Sequence, residues 1–268
     1  VYPKFWDRAV DEINSFIQGN VKFRRLDYRS FNLSGNKASL DAYGRSKPNT
    51  CERFVDDFST SIVWDLLDDD DICDVISDSL SDLWYFLFKT VDETVESDII
   101  GRISIIQEKG CKGRFIAIPR LTVQLGLQSL GQALLKCCRH VPWDCTHDQT
   151  EGLRWSQDQL RSGKRLWSVD VSDFTNHWPL ELIEDCIRRL QLNFEEGDLK
   201  LFHASATNSY LYGKQQIRWT KGQPLGVYPS FPGAALSHGA ILRALELEVN
   251  CVKNSFRVLG DDVIISDA

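Results

Sequence analysis

The sequence contains no methionine. It also lacks any apolar run long enough to span a membrane. Its first residues, Val1-Tyr2-Pro3-Lys4-Phe5-Trp6-Asp7, have neither the basic start nor the apolar core of a secretory signal. With no initiator methionine, and with only six residues after a pair of adjacent aspartates, the chain is expected to be an excised or incomplete piece. Eight cysteines occur, but they form neither a regular disulfide framework nor Cys-x-x-Cys pairs. That pattern favours reduced thiols in an intracellular setting. Excess positive charge is missing too. The net charge of −7 argues against a surface coated in basic residues, yet leaves room for a local basic channel.

What is present suits an ordinary folded protein, with 43% hydrophobic and 26% charged residues in 268. Phe5, Trp6, Val10, Ile13, Phe16 and Ile17 recur at helical spacing and predict an amphipathic helix over 4–18, ended near Gly19. Residues 27–50, rich in Asn, Ser, Gly and Lys, read as irregular. Residues 52–98 are acidic around Asp68-Asp69-Asp70-Asp71, with Ile62, Leu66, Ile72, Val75, Ile76 and Leu80 supplying an apolar face. Helices with one solvated acidic face are expected there. A metal or calcium site is not expected there, because the glycine and spaced donors of a calcium loop are absent.

The sign of the charge then reverses. From Arg102 to Arg165 there are eleven Lys and Arg against five Asp and Glu. Within this stretch Ile103–Ile106 and Arg114–Ile118 read as strands joined by Gln107–Gly113, which gathers Lys109, Lys112 and Arg114 at one loop. A phosphate contact there is physically reasonable, and a merely solvated basic hairpin is the competing account. A leucine-rich helix over 122–139 follows.

Three polar features then come in order. Leu166-Trp167-Ser168-Val169-Asp170 reads as a strand ending in Asp170, which is either a metal ligand or a turn residue. Gly222-Gln223-Pro224-Leu225-Gly226 leads to Ser230 and a helix. This loop offers backbone N–H groups and a hydroxyl to phosphate or sugar, but without the Gly-Lys-Ser/Thr ending of a Walker loop. Last, Phe256–Leu259 and Val263–Ile265 flank Gly260-Asp261-Asp262, predicting a hairpin with the aspartates at its tip.

Taken together, these motifs resemble the palm and fingers of viral RNA-dependent RNA polymerases, with the nearest likeness to the narna-like, ourmia-like and levi-like positive-strand group. The likeness covers about residues 101–266. Glu108–Arg114 resembles the basic fingers motif, and Asp148–Gly152 a segment before the first palm motif. Asp170-Val171-Ser172 with Thr175 resembles the first palm motif, Gly222–Gly226 with Ser230-Phe231-Pro232 and His238 the second, and Arg257–Asp262 the third. One departure stands out: the family it resembles commonly ends the first motif Thr-Asp, and this chain has Thr175-Asn176.

The resemblance implies an α+β fold, with a right-hand palm, an antiparallel palm sheet, helical and basic fingers, and most of the thumb lacking. It implies an N-terminal and fingers region over 1–165 and a palm core over 166–268, with a fingers-linked insertion near 191–221. The implied activity is RNA-templated nucleotidyl transfer with two Mg²⁺ ions, Mn²⁺ being the alternative. Asp170, Asp261 and Asp262 would hold the metals, with Asp170 and Asp261 leading. Lys109, Lys112 and Arg114 would meet triphosphate or template, while Gly226, Ser230 and Asn176 would place template and sugar. The partners implied are template RNA, primer or nascent strand, and nucleoside triphosphates, in the host cytoplasm or alternatively the mitochondrion. Two other readings are a catalytically weak RNA-binding remnant and a structural domain of a replication complex. A cellular reverse transcriptase fits the flanking motifs less well.

Overall fold

The structure, a computed structural model, describes residues 2–30, 57–81, 83–84, 98–107, 110, 113–250 and 253–267. Most of the irregular region expected over 27–50, part of the acidic run, and both Lys109 and Lys112 lie outside the described residues. By compactness the chain forms two units, each assembled from separated stretches. The first contains 1–22, 131–193 and 231–268, and the second contains 23–130 and 194–230. The architecture is α+β in both.

The first unit is built on a three-stranded antiparallel sheet of β3 (Leu166–Asp170), β7 (Asp262–Ser266) and β6 (Phe256–Leu259), in the order β3-β7-β6. This is the palm-type sheet expected from the sequence. The Val263 and Val258 face of the hairpin is buried, as the alternation of side chains along a strand requires. Trp143 packs on it, its ring 5.6 Å from that of Phe256 and 5.8 Å from that of Phe16. The chain at Trp143–Cys145 runs along the outer edge of β6, through Val258 N–H to Trp143 O and Cys145 N–H to Val258 O. Beyond β3 there is no further strand among the described residues, and Trp167 and Val169 on it are exposed.

Helices pack against this sheet. α1 (Trp6–Ile17) forms where the 3.6-residue spacing predicted it and buries Trp6, Val10, Ile13 and Ile17. Its polar anchors reach far along the chain: Trp6 Nε1–H donates to Asp185 on α7 (Leu180–Arg189) at 2.7 Å, Asn14 to Arg189 O (3.0 Å), and Arg243 to Glu12 (2.7 Å). Arg243 also pairs with Glu246 at 2.6 Å, and Glu246 accepts from the Ser255 backbone N–H, so this buried ion pair is fully engaged.

The second unit carries a four-stranded mixed sheet, β2-β1-β4-β5. Its first hairpin, β1 (Ile99–Gln107) with β2 (Gly113–Pro119), is the expected basic hairpin, with β1 starting earlier than the alternation suggested. Strand β4 (Ser209–Tyr212) pairs in parallel with β1 and antiparallel with β5 (Gln215–Ile217), a union the sequence did not announce. The acidic helices form as expected over the described part, as α2 (Ser61–Leu67) and α3 (Asp70–Leu80). Asp69 caps α3 by accepting from the N–H groups of Asp71 and Ile72. Lys200 bridges Asp69 and Asp71 from α8 (Glu196–Thr207), so part of the acidic face is neutralised.

The two remaining long helices are α4 (Leu121–His140) and α9 (Ser230–Glu248). No helix among the described residues is long and apolar enough to cross a membrane.

All five described cysteines are free. Burial pushes the Cys137 thiol up to about 12 and drives Cys138 and Cys186 in the same direction. At pH 8 a pKa of 12 leaves on the order of a thousand-fold less thiolate than an ordinary cysteine has. Alkylation of the native chain at pH 8 should therefore label half-buried Cys73 well before Cys137, Cys138 and Cys186, as read by peptide mass spectrometry. A raised thiol pKa also makes the folded state lose stability as pH climbs from about 9 toward 12, because the unfolded chain ionises first.

Candidate functional site

Asp170 ends β3, and its register partner across the sheet is Asp262, the first residue of β7. Directly opposite residues of an antiparallel pair share a face, with Cβ atoms about 4.5–5.5 Å apart. Asp261 lies next to them in the two-residue turn Gly260-Asp261, since Leu259 and Asp262 are the last paired residues of the hairpin. Glycine at the first turn position, with φ of +62°, is what a tight two-residue hairpin loop selects. The sequence reading ranked Asp261 ahead of Asp262 as the partner of Asp170. The ladder sets Asp262 opposite Asp170 and leaves Asp261 at the tip.

All three carboxylates are exposed, and neither Asp170 nor Asp262 makes a side-chain hydrogen bond or ion pair among the described residues. Like charges directly opposite each other destabilise a sheet. Unpaired carboxylate oxygens held face to face suit a hard divalent cation. Among the described residues no group of three or more His, Cys, Asp or Glu is gathered closely enough to hold a metal ion as it stands. The arrangement is a facing pair, with a third carboxylate one residue away.

Beside the Asp-bearing face, a cavity of about 620 Å³ is bounded by α5 (Gln149–Arg161) and the sheet. Its lining includes Leu153, Ser156, Ser168, Arg257 and Asp262. The Arg257 guanidinium sits 4.8 Å from the centre of the Trp155 ring, and burial holds its pKa below the ordinary arginine value. This half-buried arginine, singled out in the sequence only as part of a motif, puts a positive charge on the face that carries the aspartates. Asp148, at the start of α5, accepts from Thr150 N–H and pairs with Arg154 at 3.0 Å, so it caps the helix.

Asn176 lies on the single-turn helix α6 (Phe174–His177) and donates to Asp173 at 2.6 Å. Asp173 has a left-handed backbone, φ +53°, stabilised by this bond and by the contact of His177 with its carboxylate at 3.2 Å. An aspartate at 176 would set two anions against each other here, which gives a local reason for the Thr-Asn ending.

The second unit holds the remaining candidates. Arg114 is exposed on β2, opposite Ile106. The Leu225–Ser230 loop is pinned to the same strand. Ala117 N–H donates to Leu225 O at 2.7 Å, while Gln124 donates to Gly226 O and accepts from Tyr228 N–H. Ser230 is fully buried, and its hydroxyl donates to Pro224 O at 2.8 Å. Its one O–H therefore closes the loop on itself.

An antiparallel sheet that sets a strand-end aspartate against an Asp-Asp hairpin is the core of a nucleic-acid polymerase palm. The family model described as Mitovirus RNA-dependent RNA polymerase matches residues 39–268, and the chain belongs to that family. This agrees with the narna-like resemblance of the motifs.

Among curated relatives, the RNA-directed RNA polymerase of Cryphonectria parasitica mitovirus 1 is 24% identical over 174 residues, which is 63% of this chain and 21% of that protein. Two uncharacterized mitochondrial proteins of Arabidopsis thaliana are 30% and 29% identical. Each match takes in 48% of this chain, and they cover 65% and 54% of the plant proteins. The chain thus spans about a fifth of the fungal-virus polymerase and under two thirds of either plant protein. Of solved structures, the Sicinivirus 3Dpol RNA dependent RNA polymerase superposes with a TM-score of 0.40 at 17% identity, covering 57% of this chain and 36% of that one.

Proposed function

We propose that the chain is the palm and fingers portion of an enzyme that performs RNA-templated nucleotidyl transfer in viral RNA replication. The observation that carries this reading is the register of Asp170 against Asp262, with Asp261 in the adjoining turn, in a chain of the mitovirus polymerase family. Asp170, Asp261 and Asp262 would hold two divalent ions, Mg²⁺ with Mn²⁺ as the alternative. When bound, such ions lower the pKa of an attacking hydroxyl and stabilise charge on leaving oxygens.

The chain's own residues do the placing. The sheet presents the carboxylates at a strand end and a hairpin tip, where a primer 3′ end and an incoming triphosphate can approach. In the second unit, Arg114, together with Lys109 and Lys112, supplies cations for triphosphate or template phosphates. Gly226, whose side-chain position is filled by Ile116 and Ala117, would seat the loop that places the template strand. Ser230 acts here by holding that loop, and Asn176 would sit near the sugar. In this reading the first unit is the palm core and the second is the fingers. The mitochondrial names of the plant relatives favour the mitochondrion over the host cytoplasm.

The reading as a weakly catalytic RNA-binding remnant draws on one observation, the commitment of the Asn176 amide to Asp173. Primer extension separates the two. With Mg²⁺, the four nucleoside triphosphates and a primed RNA template, the chain should add nucleotides complementary to the template. RNA binding without any addition selects the remnant, and failure to bind RNA at all overturns both.

A further inference from the structure

His238 lies on α9 and is 4% exposed, an unusual place for an imidazole without a task. Its Nδ1 is 2.8 Å from the carbonyl oxygen of Gly260. A carbonyl oxygen only accepts, so Nδ1 must carry the proton. Burial pushes the pKa of the ring down. The Gly260 bond and the nearby charge of Asp261 act the other way.

The ring is boxed by aromatics. Phe174 and Trp178 stand 5.1 and 5.0 Å from it, 4.6 Å from each other, and Trp178 Nε1–H donates to Ser237 at 2.8 Å. Phe231, seven residues and about two turns earlier on α9, supports the same turn, because a Cβ built on Gly260 would meet its ring at 3.2 Å. The carbonyl that His238 grips belongs to the peptide linking Gly260 to Asp261. Fixing that peptide plane fixes where the Asp261 side chain leaves the backbone. Phe174 and Trp178 belong to the segment following Asp170, so one aromatic box ties the hairpin tip to the chain just after the facing strand.

We propose that His238 is a positioning residue: its Nδ1–H locks the Gly260–Asp261 peptide and so aims the Asp261 carboxylate. This rests on the polymerase reading only in giving Asp261 a metal to hold.

The first measurement is the tautomer of His238 in the 268-residue chain, read from imidazole ¹⁵N and ¹³C shifts. Protonated Nδ1 with bare Nε2 is expected, and the opposite tautomer overturns the proposal. The second is Mn²⁺ binding followed by electron paramagnetic resonance. Partners that orient a metal ligand typically change affinity about 10–100-fold when removed. His238→Leu should weaken Mn²⁺ binding about ten-fold or more, and His238→Asn, whose amide nitrogen can reach the Nδ1 position, should restore it to within about three-fold. Wild-type affinity in His238→Leu overturns the positioning role. If Asp261→Asn binds Mn²⁺ as well as the wild type does, the metal assignment of Asp261 fails instead. The tautomer result then still decides whether the turn is held by His238, and a poorly folded His238→Leu leaves that result untouched.

Discussion

Asp170→Asn and Asp261→Asn should each remove template-directed incorporation, by about a thousand-fold or more. Asparagine keeps the size and shape of the side chain and gives up its charge, so metal affinity is lost with little change in packing. Metal stabilisation of a developing negative charge is worth several kcal/mol, and three powers of ten in rate correspond to about 4 kcal/mol. The geometry adds a control that a purely structural role would not satisfy. Asp170 faces Asp262 across the ladder, so neutralising Asp170 relieves a like-charge pair. The thermal midpoint of Asp170→Asn should hold steady or rise slightly while single-nucleotide incorporation disappears. A variant that loses activity together with stability would show that the aspartate holds the sheet rather than the reaction. Asp262→Asn should lose less activity than Asp261→Asn if the tip residue carries the leading role.

The second large effect is on stability. Gly226 has φ of +115°, a backbone conformation that residues with a Cβ rarely adopt. A Cβ there would lie 2.6 Å from Ile116 Cγ2 and inside contact with Ala117 O. Neither neighbour can yield cheaply. Ala117 is buried in β2, and its own N–H is already bonded to Leu225 O. Gly226→Ala should therefore destabilise the second unit by about 3 kcal/mol, combining overpacking with a strained backbone. Gly226→Val should do more, and urea unfolding monitored by tryptophan fluorescence would measure both. The loop's glycine is thus required by a docking contact, which the sequence reading, attending to substrate approach, did not foresee.

Local patterns were legible wherever the signal was short-range. The 3.6-residue spacing in α1, the strand–Gly-Asp-Asp–strand pattern of the last hairpin and the described acidic helices all appear near their expected places. The basic hairpin was legible for the same reason, although Lys109 and Lys112 lie outside the described residues.

Pairings between distant stretches left no local trace. β4 runs parallel to β1 more than 100 residues away, and nothing in Ser209–Tyr212 announces that neighbour. Residues 194–230 belong to the second unit although the sequence on either side belongs to the first; no local pattern marks this, and the insertion expected near 191–221 came from the motif resemblance alone. At the site, the order of motifs pointed to Asp170, Asp261 and Asp262. Which two stand opposite is a matter of register, and register is set by pairing across the sheet. The aromatic box around His238 had a weak signature in the Phe174 and Trp178 spacing, one helical turn apart, which reads equally well as ordinary core.

The anchoring of α1 has a consequence in time. Its partners Asp185, Arg189 and Arg243 are made about 170 to 230 residues after it. At roughly 5–20 residues per second, the helix is made about 12 to 46 seconds before the last of them exists. Throughout that interval Trp6, Val10, Ile13 and Ile17 have no palm to bury against. Synthesis of this chain thus passes through a prolonged sticky stage, in which a chaperone or a neighbouring nascent chain competes for the surface that later closes the first unit.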